Sequence, residues 1–444
     1  MSMVVKNNMS AINTLNVLNV NTQNLSKALQ KVSSGMKING AADDASGYAI
    51  SERMRVQIRS LDQDKANTQN GSSLMKVAEG AVSSTVDILK TLKEKVINAA
   101  NDTNTDSDRA TIQKELDQSI DQINDNANVT FNGKYLVDGS HNNLVTQTTT
   151  AMTNQSLAVG TTWGTAITSL KNRNDNSLCI SSTDSVTVSF VNMGKTYTTN
   201  FKVENHSLQD IIVNANKAWT AKHTDGSAAF AVDKLGATSY IGLDTSTNKV
   251  YTASGNSALT IVAAKSGVDG QIGGLTISIT DNTGKVNKSA NAVLDDFTEM
   301  IRAQNESADN AIVLQIGTKA SQSIKAGMTD MRAVALGLQG TDGATLSVAT
   351  QQNANAAINV LDAAIQKALD QQTTIGSIQS RLEYTASNLT TASENVQSAE
   401  SVIRDADMAK EMTEYTKNNV LMQAAQSMLA QANQNSSNVL SLLQ

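Results

Sequence analysis

The chain has 444 residues and a formal net charge of −6, and it contains one cysteine and no proline. The acidic balance argues against a nucleic-acid-binding protein, and one thiol excludes an internal disulfide framework. An average composition would supply about 22 prolines. Because proline interrupts helices, its absence favours long unbroken helices.

The first 42 residues predict a helix with a heptad seam, meaning apolar residues that recur every seven positions on one face. This stretch contains no Asp or Glu. It also lacks the apolar core of a secretory signal, so export from the cell would need a route without a cleaved signal. The seam residues are Val4, Ala11, Leu18, Leu25 and Val32 on one row, and Leu15, Leu29 and Met36 on the neighbouring row.

Two further helical segments and a hairpin are predicted next. The breaker residues Ser33–Gly35 separate the first helix from a helical stripe that continues to about Asn101. Another helix is predicted from about Asp108 to Asn126. The Asn-Gly pair within Phe131–Tyr135 predicts a β-hairpin.

The composition changes between residues 141 and 290, which hold twelve of the 25 glycines and eight of the 14 aromatic residues. Alternating apolar and polar residues predict strands on both sides of Asn192–Gly194. A short helix is predicted at Leu208–Trp219. This part is therefore predicted to be a separate, β-rich insert between two helical ends.

The segment Ser377–Gln444 contains neither Gly nor Pro and predicts an almost uninterrupted helix. From Asn418 onward it has no charged residue, which indicates burial in an assembly rather than a solvated surface. Because both chain ends are poor in charge, we expect them to pair with each other. The heptad seam comprises Leu382, Leu389, Val396 and Ile403, and the uncharged part supplies Val420, Leu421, Met428, Leu429, Ala432, Val439, Leu440 and Leu443.

Patterns for catalysis or metal binding are weak. None of the three histidines lies in an HExxH zinc motif, and Cys179 has no nearby histidine partner. Asp102–Asp108 resembles the start of a calcium-binding EF-hand loop, but Ser107 and Gln113 stand where that loop needs Gly and Glu. We therefore predict no enzymatic activity, no cofactor and no metal. The short apolar runs and missing basic residues also argue against membrane insertion.

Both chain ends resemble the signatures of bacterial flagellin. The resemblance covers about Met1–Gly139 and Ala311–Gln444, and the insert resembles nothing recognisable. The N-terminal signature is matched by Leu25–Gly47 with Ile50 and Arg53, the C-terminal signature by Arg381–Tyr384, Asn395–Met408 and Met422–Leu443, and the intermediate motifs by Phe131–Gly133 and Leu314–Gly317.

This resemblance implies a mainly α fold with a β-rich insert. Long antiparallel, coiled-coil-like helices from both chain ends would form layered domains around a central variable α+β domain. The implied domains are residues 1–42 with 406–444 as the inner terminal-helix domain, 43–140 with 305–405 as a helical rod domain with the hairpin, and 141–304 as the outer insert.

The resemblance also implies a structural subunit of the extracellular flagellar filament, exported unfolded by the type III apparatus and self-assembling into a helical tube for motility. The terminal apolar rows would pack in the filament core, and the Leu382–Ile403 residues would form the rod-domain seam. Implied partners are other copies of the chain, an export chaperone, the filament cap and hook-junction proteins, and a vertebrate Toll-like receptor. Nucleic acid is not among them.

The receptor-sensed surface departs from the family pattern. In the family, the helix that corresponds to Leu89–Ala100 is part of this surface. A key Arg is matched here by Thr91 and a following Leu by Lys95, whereas Glu115 matches a supporting Glu. Because Arg offers planar, bidentate hydrogen bonding that Thr lacks, the change predicts weakened or altered receptor activation.

Three alternatives stay open. The chain could be a hook–filament junction protein, which would share the terminal helices. It could be a flagellin whose insert carries an enzymatic or adhesive activity. A generic coiled-coil adhesin is the third.

Overall fold

The computed structural model describes residues 8–223 and 227–442, and it describes no side chain at 436 or 439–442. Two predicted packing residues, Val4 and Leu443, therefore lie outside the described residues. The same holds for the side chains of Val439 and Leu440.

Seven helices and thirteen strands occur in the described residues. The helices are α1 (Met9–Ser34), α2 (Ala45–Ala99), α3 (Asp106–Ala127), α4 (Leu208–Thr220), α5 (Lys288–Leu294), α6 (Gln351–Arg404) and α7 (Met408–Leu442). The strands are β1 (Thr130–Phe131), β2 (Lys134–Tyr135), β3 (Ala151–Asn154), β4 (Ser185–Asn192), β5 (Lys195–Lys202), β6 (Gly236–Thr238), β7 (Tyr240–Leu243), β8 (Lys249–Tyr251), β9 (Ala258–Val262), β10 (Ile272–Thr280), β11 (Phe297–Ile301), β12 (Ile312–Gln315) and β13 (Ser323–Ala326).

The chain divides into two compact units. The terminal unit comprises Met1–Gln69, Gln315–Gln322 and Tyr384–Gln444, and the central unit comprises Asn70–Leu314 and Ser323–Glu383. Helices α2 and α6 contribute residues to both units. None of the helices in the described part of the chain has the length and hydropathy needed to cross a membrane.

In the terminal unit, α1 and α7 pack as an antiparallel pair. The side-chain amide of Asn8 donates to the Ala432 carbonyl at 3.1 Å, and that of Asn21 donates to the Leu421 carbonyl at 3.3 Å. Residue numbers rise along one helix as they fall along the other. The predicted pairing of long antiparallel helices from both chain ends is therefore confirmed.

Helix α1 ends at a glycine. Gly35 adopts a left-handed conformation with φ of 68°, and its N–H donates to the Lys31 carbonyl at 2.9 Å. A residue with a Cβ enters this conformation at a cost, so glycine is the usual residue at such a helix end. The breaker signal Ser33–Gly35 thus marks the true end of the helix.

The C-terminal helix, predicted to be almost uninterrupted, is broken at residues 405–407, where α6 stops and α7 begins. The Asp407 carboxylate accepts hydrogen bonds from the N–H groups of Ala409 and Lys410 at 3.0 and 3.3 Å. A short acidic side chain that satisfies the first free N–H groups stabilises a new helix start. Two aspartates in three residues therefore allow a break that the apolar periodicity does not show.

In the central unit, α3 runs antiparallel to the end of α2. The buried Arg109 side chain donates to the carbonyls of Ala99 and Asn101 at 3.0 and 3.1 Å, and so satisfies groups that the end of α2 leaves free. A reciprocal capping box between Thr105 and Asp108 starts α3. The Asp102–Asp108 segment is therefore an interhelical turn and a helix start.

The insert holds the β-rich core of the central unit. Strands β4 and β5 form an antiparallel hairpin, and β10 joins β4 to give the order β10-β4-β5. A second antiparallel sheet has the order β11-β3-β9-β6. Four aromatic rings, those of Phe190, Tyr197, Trp219 and Phe230, pack together between β4, β5 and α4, with ring centroids 5.0–6.4 Å apart.

Candidate assembly surface

One row of α1 is shielded in the α1–α7 pair. Ala11, Leu18, Leu25 and Val32, the first predicted row, are half-buried, and Ala28 beside them is buried. The corresponding row of α7 contains Met422, Leu429 and Ala432, which are half-buried, and the buried Ala425. These residues recur at steps of three and four, as expected for two helices that meet along a heptad seam.

The second predicted row of α1 faces away from α7. Leu15 and Leu29 are exposed, whereas Met36 is half-buried beyond the end of the helix. The neighbouring Met9, Ile12, Val17 and Val20 are exposed as well. A helix of 26 residues therefore leaves six large apolar side chains exposed in the described part of the chain.

Helix α7 has an uncovered apolar face of the same kind. Val420, Leu421 and Met428, all predicted packing residues, are exposed, and so are Met408 and Met412 nearer the start of the helix. We call the exposed large apolar side chains of α1 and α7 the open apolar rows. They comprise Met9, Ile12, Leu15, Val17, Val20, Leu29, Met408, Met412, Val420, Leu421 and Met428, each 42–62% exposed.

The predicted rod-domain seam is shielded at one end and looser at the other. Leu382 and Leu389 are buried, whereas Val396 and Ile403 are half-buried. Within the terminal unit, the adjoining helix surfaces carry polar contacts. Arg55 Nε donates to Glu400 Oε1 at 3.1 Å.

The predicted receptor surface needs one correction. The Leu89 side chain is fully buried among the core residues of α2, so it cannot touch a partner. Its neighbour Thr91 is exposed, with its hydroxyl donating to the Asp87 carbonyl at 3.0 Å. Lys95 Nζ lies 3.1 Å from Glu115 Oε1 across the α2–α3 pair. Two residues of the predicted receptor surface, Lys95 and Glu115, are thus paired with each other.

The central unit also contains two shielded ionisable residues, Glu299 and Lys367, that sequence reasoning missed. Burial raises the pKa of the Glu299 carboxyl to about 7 and lowers the pKa of the Lys367 ammonium to about 8. Lys367 Nζ donates to the Ala335 carbonyl at 2.8 Å, and Arg302 Nε lies 3.8 Å from Glu299 Oε2. The apolar periodicity carries no signal for these two residues, since both are usual on solvated surfaces.

No chemical centre accompanies these charges. In residues 8–223 and 227–442, no group of three or more His, Cys, Asp or Glu side chains is placed to hold a metal ion. Cys179 is a free, exposed thiol. The largest unexplained feature of the described molecule is therefore the set of open apolar rows.

The paired terminal helices and their open apolar rows are typical of a subunit that assembles with other protein chains. Comparison with known protein families identifies the family of this chain. The N-terminal helical region of bacterial flagellin matches residues 5–142, and the C-terminal helical region of bacterial flagellin matches residues 358–443. The chain belongs to the bacterial flagellin family.

Relatives that match along nearly their whole length support the assignment. A flagellin of Clostridium tyrobutyricum is 35% identical over 433 residues, covering 97% of this chain and 99% of the relative. A flagellin of Bacillus subtilis is 32% identical over 444 residues, covering 99% and 100%. The structure of hook-associated protein-3 from Legionella pneumophila has a TM-score of 0.33 at 15% identity, covering 78% of this chain and 97% of that one, and has no bearing on the assignment. The chain is a structural subunit of the extracellular flagellar filament.

Proposed function

We propose that the terminal unit drives filament growth by burying its open apolar rows against neighbouring copies of the same chain. The observation that supports this most is the exposure of large apolar side chains on both α1 and α7 at once. Eleven large apolar side chains left exposed on two paired helices are more typical of an interaction surface than of a protein that works as a monomer. The shielded rows hold the two helices together, so the open rows stay available on the outside of the pair.

The free energy available from burying the open apolar rows is large enough for a polymer. Burying a fully exposed Leu, Val or Met side chain contributes about 1.5–3 kcal/mol, so a half-exposed one contributes about 1 kcal/mol. Eleven such side chains are found among the described residues of α1 and α7. Their gross contribution is about 10 kcal/mol per subunit before the cost of association is subtracted. Self-association is therefore favoured only when most rows are covered, which several neighbours achieve better than one.

The finer parts of the function follow from the same surface. The open rows would have to be covered or unfolded before assembly, which supports unfolded type III export and an export chaperone that binds the C-terminal helix. The filament cap and hook-junction proteins would meet the same rows at the filament ends. We also propose the three-domain arrangement of inner helices, rod and outer insert, and an insert without catalytic role.

Receptor activation is proposed to be weak. Thr91 cannot supply planar bidentate hydrogen bonds, and Lys95 is engaged by Glu115. A cell reporter assay with purified monomer should give low potency. Thr91→Arg should raise it, and full potency of the parent chain would contradict the proposal.

A substitution in the open rows tests self-assembly. Met428→Gln keeps the length of the side chain but removes its apolar end, so monomers should elongate sheared filament seeds more slowly and only above a higher protein concentration. Gln426→Ser, at an exposed polar neighbour, is the matched control and should elongate like the parent. Equal elongation by both variants would contradict a role of the open rows in polymerisation.

A further inference from the structure

Two breaks between helices lie side by side in the terminal unit. Residues 35–44 connect α1 to α2, and residues 405–407 connect α6 to α7. The Lys37 N–H donates to the Arg404 carbonyl at 2.7 Å, and the Ala406 N–H donates to the Gly35 carbonyl at 2.9 Å. These bonds flank an antiparallel bridge between Met36 and Asp405. The two breaks therefore form one structure, which we call the paired joint.

The Arg404 side chain fills the paired joint. It is only 7% exposed. Its Nη1 donates to Glu52 Oε1 at 2.5 Å and to Ser51 Oγ at 3.3 Å, and its Nε donates to Met36 Sδ at 3.2 Å. The guanidinium carbon lies 5.3 Å from the centre of the Tyr48 ring. One side chain at the end of α6 thus contacts both the segment after α1 and the first turns of α2.

The charges around Arg404 are arranged in alternation. The Arg404 hydrogen bond holds the pKa of Glu52 below its usual value. Glu52 also lies 3.9 Å from Arg55, which pairs with Glu400 on α6 at 3.1 Å. A lysine at 404 would keep the charge, but it would lose the planar fork that reaches several acceptors at once.

The helical hydrogen bonds do not continue through either break. The N–H groups of Gly35 and Asp405 still donate to the Lys31 and Ser401 carbonyls, but the Ala406 N–H donates to Gly35 on the other segment. The placement of the α1–α7 pair on the remainder of the terminal unit therefore depends on contacts inside the paired joint. Beyond the two backbone bonds, the side chain that makes most of those contacts is Arg404.

We propose that Arg404 is a positioning residue for filament assembly, which locks the paired joint so that α1 and α7 are presented together to a growing filament end. This inference rests on the proposed function of the open apolar rows. It assigns to Arg404 no contact with another subunit. The residue acts through the conformation of its own chain, and a covalent link across the joint can therefore replace it.

Seeded elongation tests whether filament assembly needs Arg404. Sheared filaments serve as seeds, and the elongation rate is followed by light scattering with Cys179→Ser monomer as the parent. Arg404→Gln should slow elongation by about tenfold or more, because it leaves the Glu52 and Ser51 partners without their donor. Arg404→Lys should fall between the two. Tryptophan fluorescence during denaturation should show an unchanged central unit in every variant.

A disulfide tests whether Arg404 acts by fixing the conformation of the paired joint. Met36 and Asp405 form a non-hydrogen-bonded antiparallel pair, for which the Cα atoms are about 4.5 Å apart, within the range that a disulfide spans. Met36→Cys and Asp405→Cys together, added to Arg404→Gln, should elongate at the parent rate when oxidised and slowly when reduced. The same cysteine pair with Arg404 retained is the control and should elongate in both states.

Each outcome is decisive. If the parent elongates seeds and Arg404→Gln does so equally well, the inference is wrong while the proposed function stands. If Arg404→Gln is slow and oxidation does not restore it, Arg404 acts by another route than positioning, and the inference is again wrong. A parent that cannot elongate its own seeds contradicts the proposed function first.

Discussion

The α1–α7 pair and the insert differ in how far each buries its own apolar side chains. The insert closes its apolar surface internally, with Phe190, Trp219 and Phe230 packed in one core between sheet and helix. The terminal helices shield one row and leave another open. This difference is what the proposed function requires: one part has a closed core, and the other keeps apolar side chains exposed for other copies to cover.

The largest expected effect comes from removing half of the helix pair. Deletion of residues 418–444 takes away the uncharged part of α7 and leaves the first part of the shielded row of α1, Ala11 and Leu18, without its partner. Filament growth should be abolished, whereas the insert should keep its fold because its core lies in the central unit. Electron microscopy and near-ultraviolet circular dichroism of the tryptophans check the two halves. Normal filaments from the truncated chain would contradict the dependence of filament growth on the α1–α7 pair.

A core substitution in the insert should have the opposite consequence. Phe190→Ala removes a fully buried ring that stacks on Tyr197 and meets Phe230 edge to face, so it should destabilise the central unit by about 3–5 kcal/mol. Tyr251→Ala, at a half-exposed ring of β8 that contacts only the cross-strand Tyr240 ring among the described aromatic residues, is the control and should cost no more than about 1.5 kcal/mol. Denaturation followed by tryptophan fluorescence gives both values. Similar losses in the two variants would contradict a closed core.

The two shielded ionisable residues make the stability of the central unit depend on pH. The Glu299 pKa rises on folding from 4.5 to about 7, so the native chain binds more protons and stability falls as pH rises between these values. The Lys367 pKa falls from 10.5 to about 8, so stability rises again as pH increases from about 8 to 10.5. The pair therefore contributes least to stability between about pH 7 and 8.

Glu299→Gln tests whether ionisation of Glu299 causes this pH dependence. At pH 8 the variant avoids an ionised buried carboxylate, so it should be more stable than the parent, by at most about 3 kcal/mol, since each tenfold change in proton affinity is worth about 1.4 kcal/mol. The gain should vanish below pH 4.5. Glu306→Gln, at an exposed site, is the control and should give no pH-dependent change. Denaturant titrations at several pH values decide, and a gain that is equal at pH 4 and 8 would contradict ionisation as the cause.

The smallest effect is expected at the helix surface of the central unit. Lys95 and Glu115 are both about half exposed, so their ion pair should contribute no more than about 1 kcal/mol. A double-mutant cycle with Lys95→Ala and Glu115→Ala measures that coupling, and 1 M salt should weaken it. A coupling energy of several kcal/mol would show that this surface is more rigidly built than its exposure indicates.

The helical part of the fold was largely predictable from the sequence. Heptad spacing located α1 and the C-terminal helical stretch that the structure divides into α6 and α7. The Asn-Gly pair located the β1–β2 hairpin, in which Asn132 and Gly133 have φ of 51° and 75°. The order of strands in the insert was not predictable, because β3 pairs with β9 and β11, more than a hundred residues away along the chain. Alternation reports which face of a strand is buried and is silent about its partner.

The sequence predicted which apolar residues belong to the terminal helices, but it did not predict which of them are shielded and which are exposed. Periodicity cannot tell which of two adjacent rows meets the partner helix. The structure shields the row of Ala11 and Leu18 together with Ala28, and leaves Leu15 and Leu29 open. Arg404 could not be found at all, because its partner Glu52 lies 352 residues away in the chain. Both facts depend on tertiary contacts that no local pattern carries.

Hydrogen exchange measured by mass spectrometry, on dilute monomer and on assembled filament, tests most directly whether the terminal helices depend on other copies. In the monomer, the amides of α1 and α7 should exchange much faster than those of the insert, and in the filament they should become as protected as the insert while the insert changes little. Strong protection of α1 and α7 in the monomer, or fast exchange of both in the filament, would contradict the account.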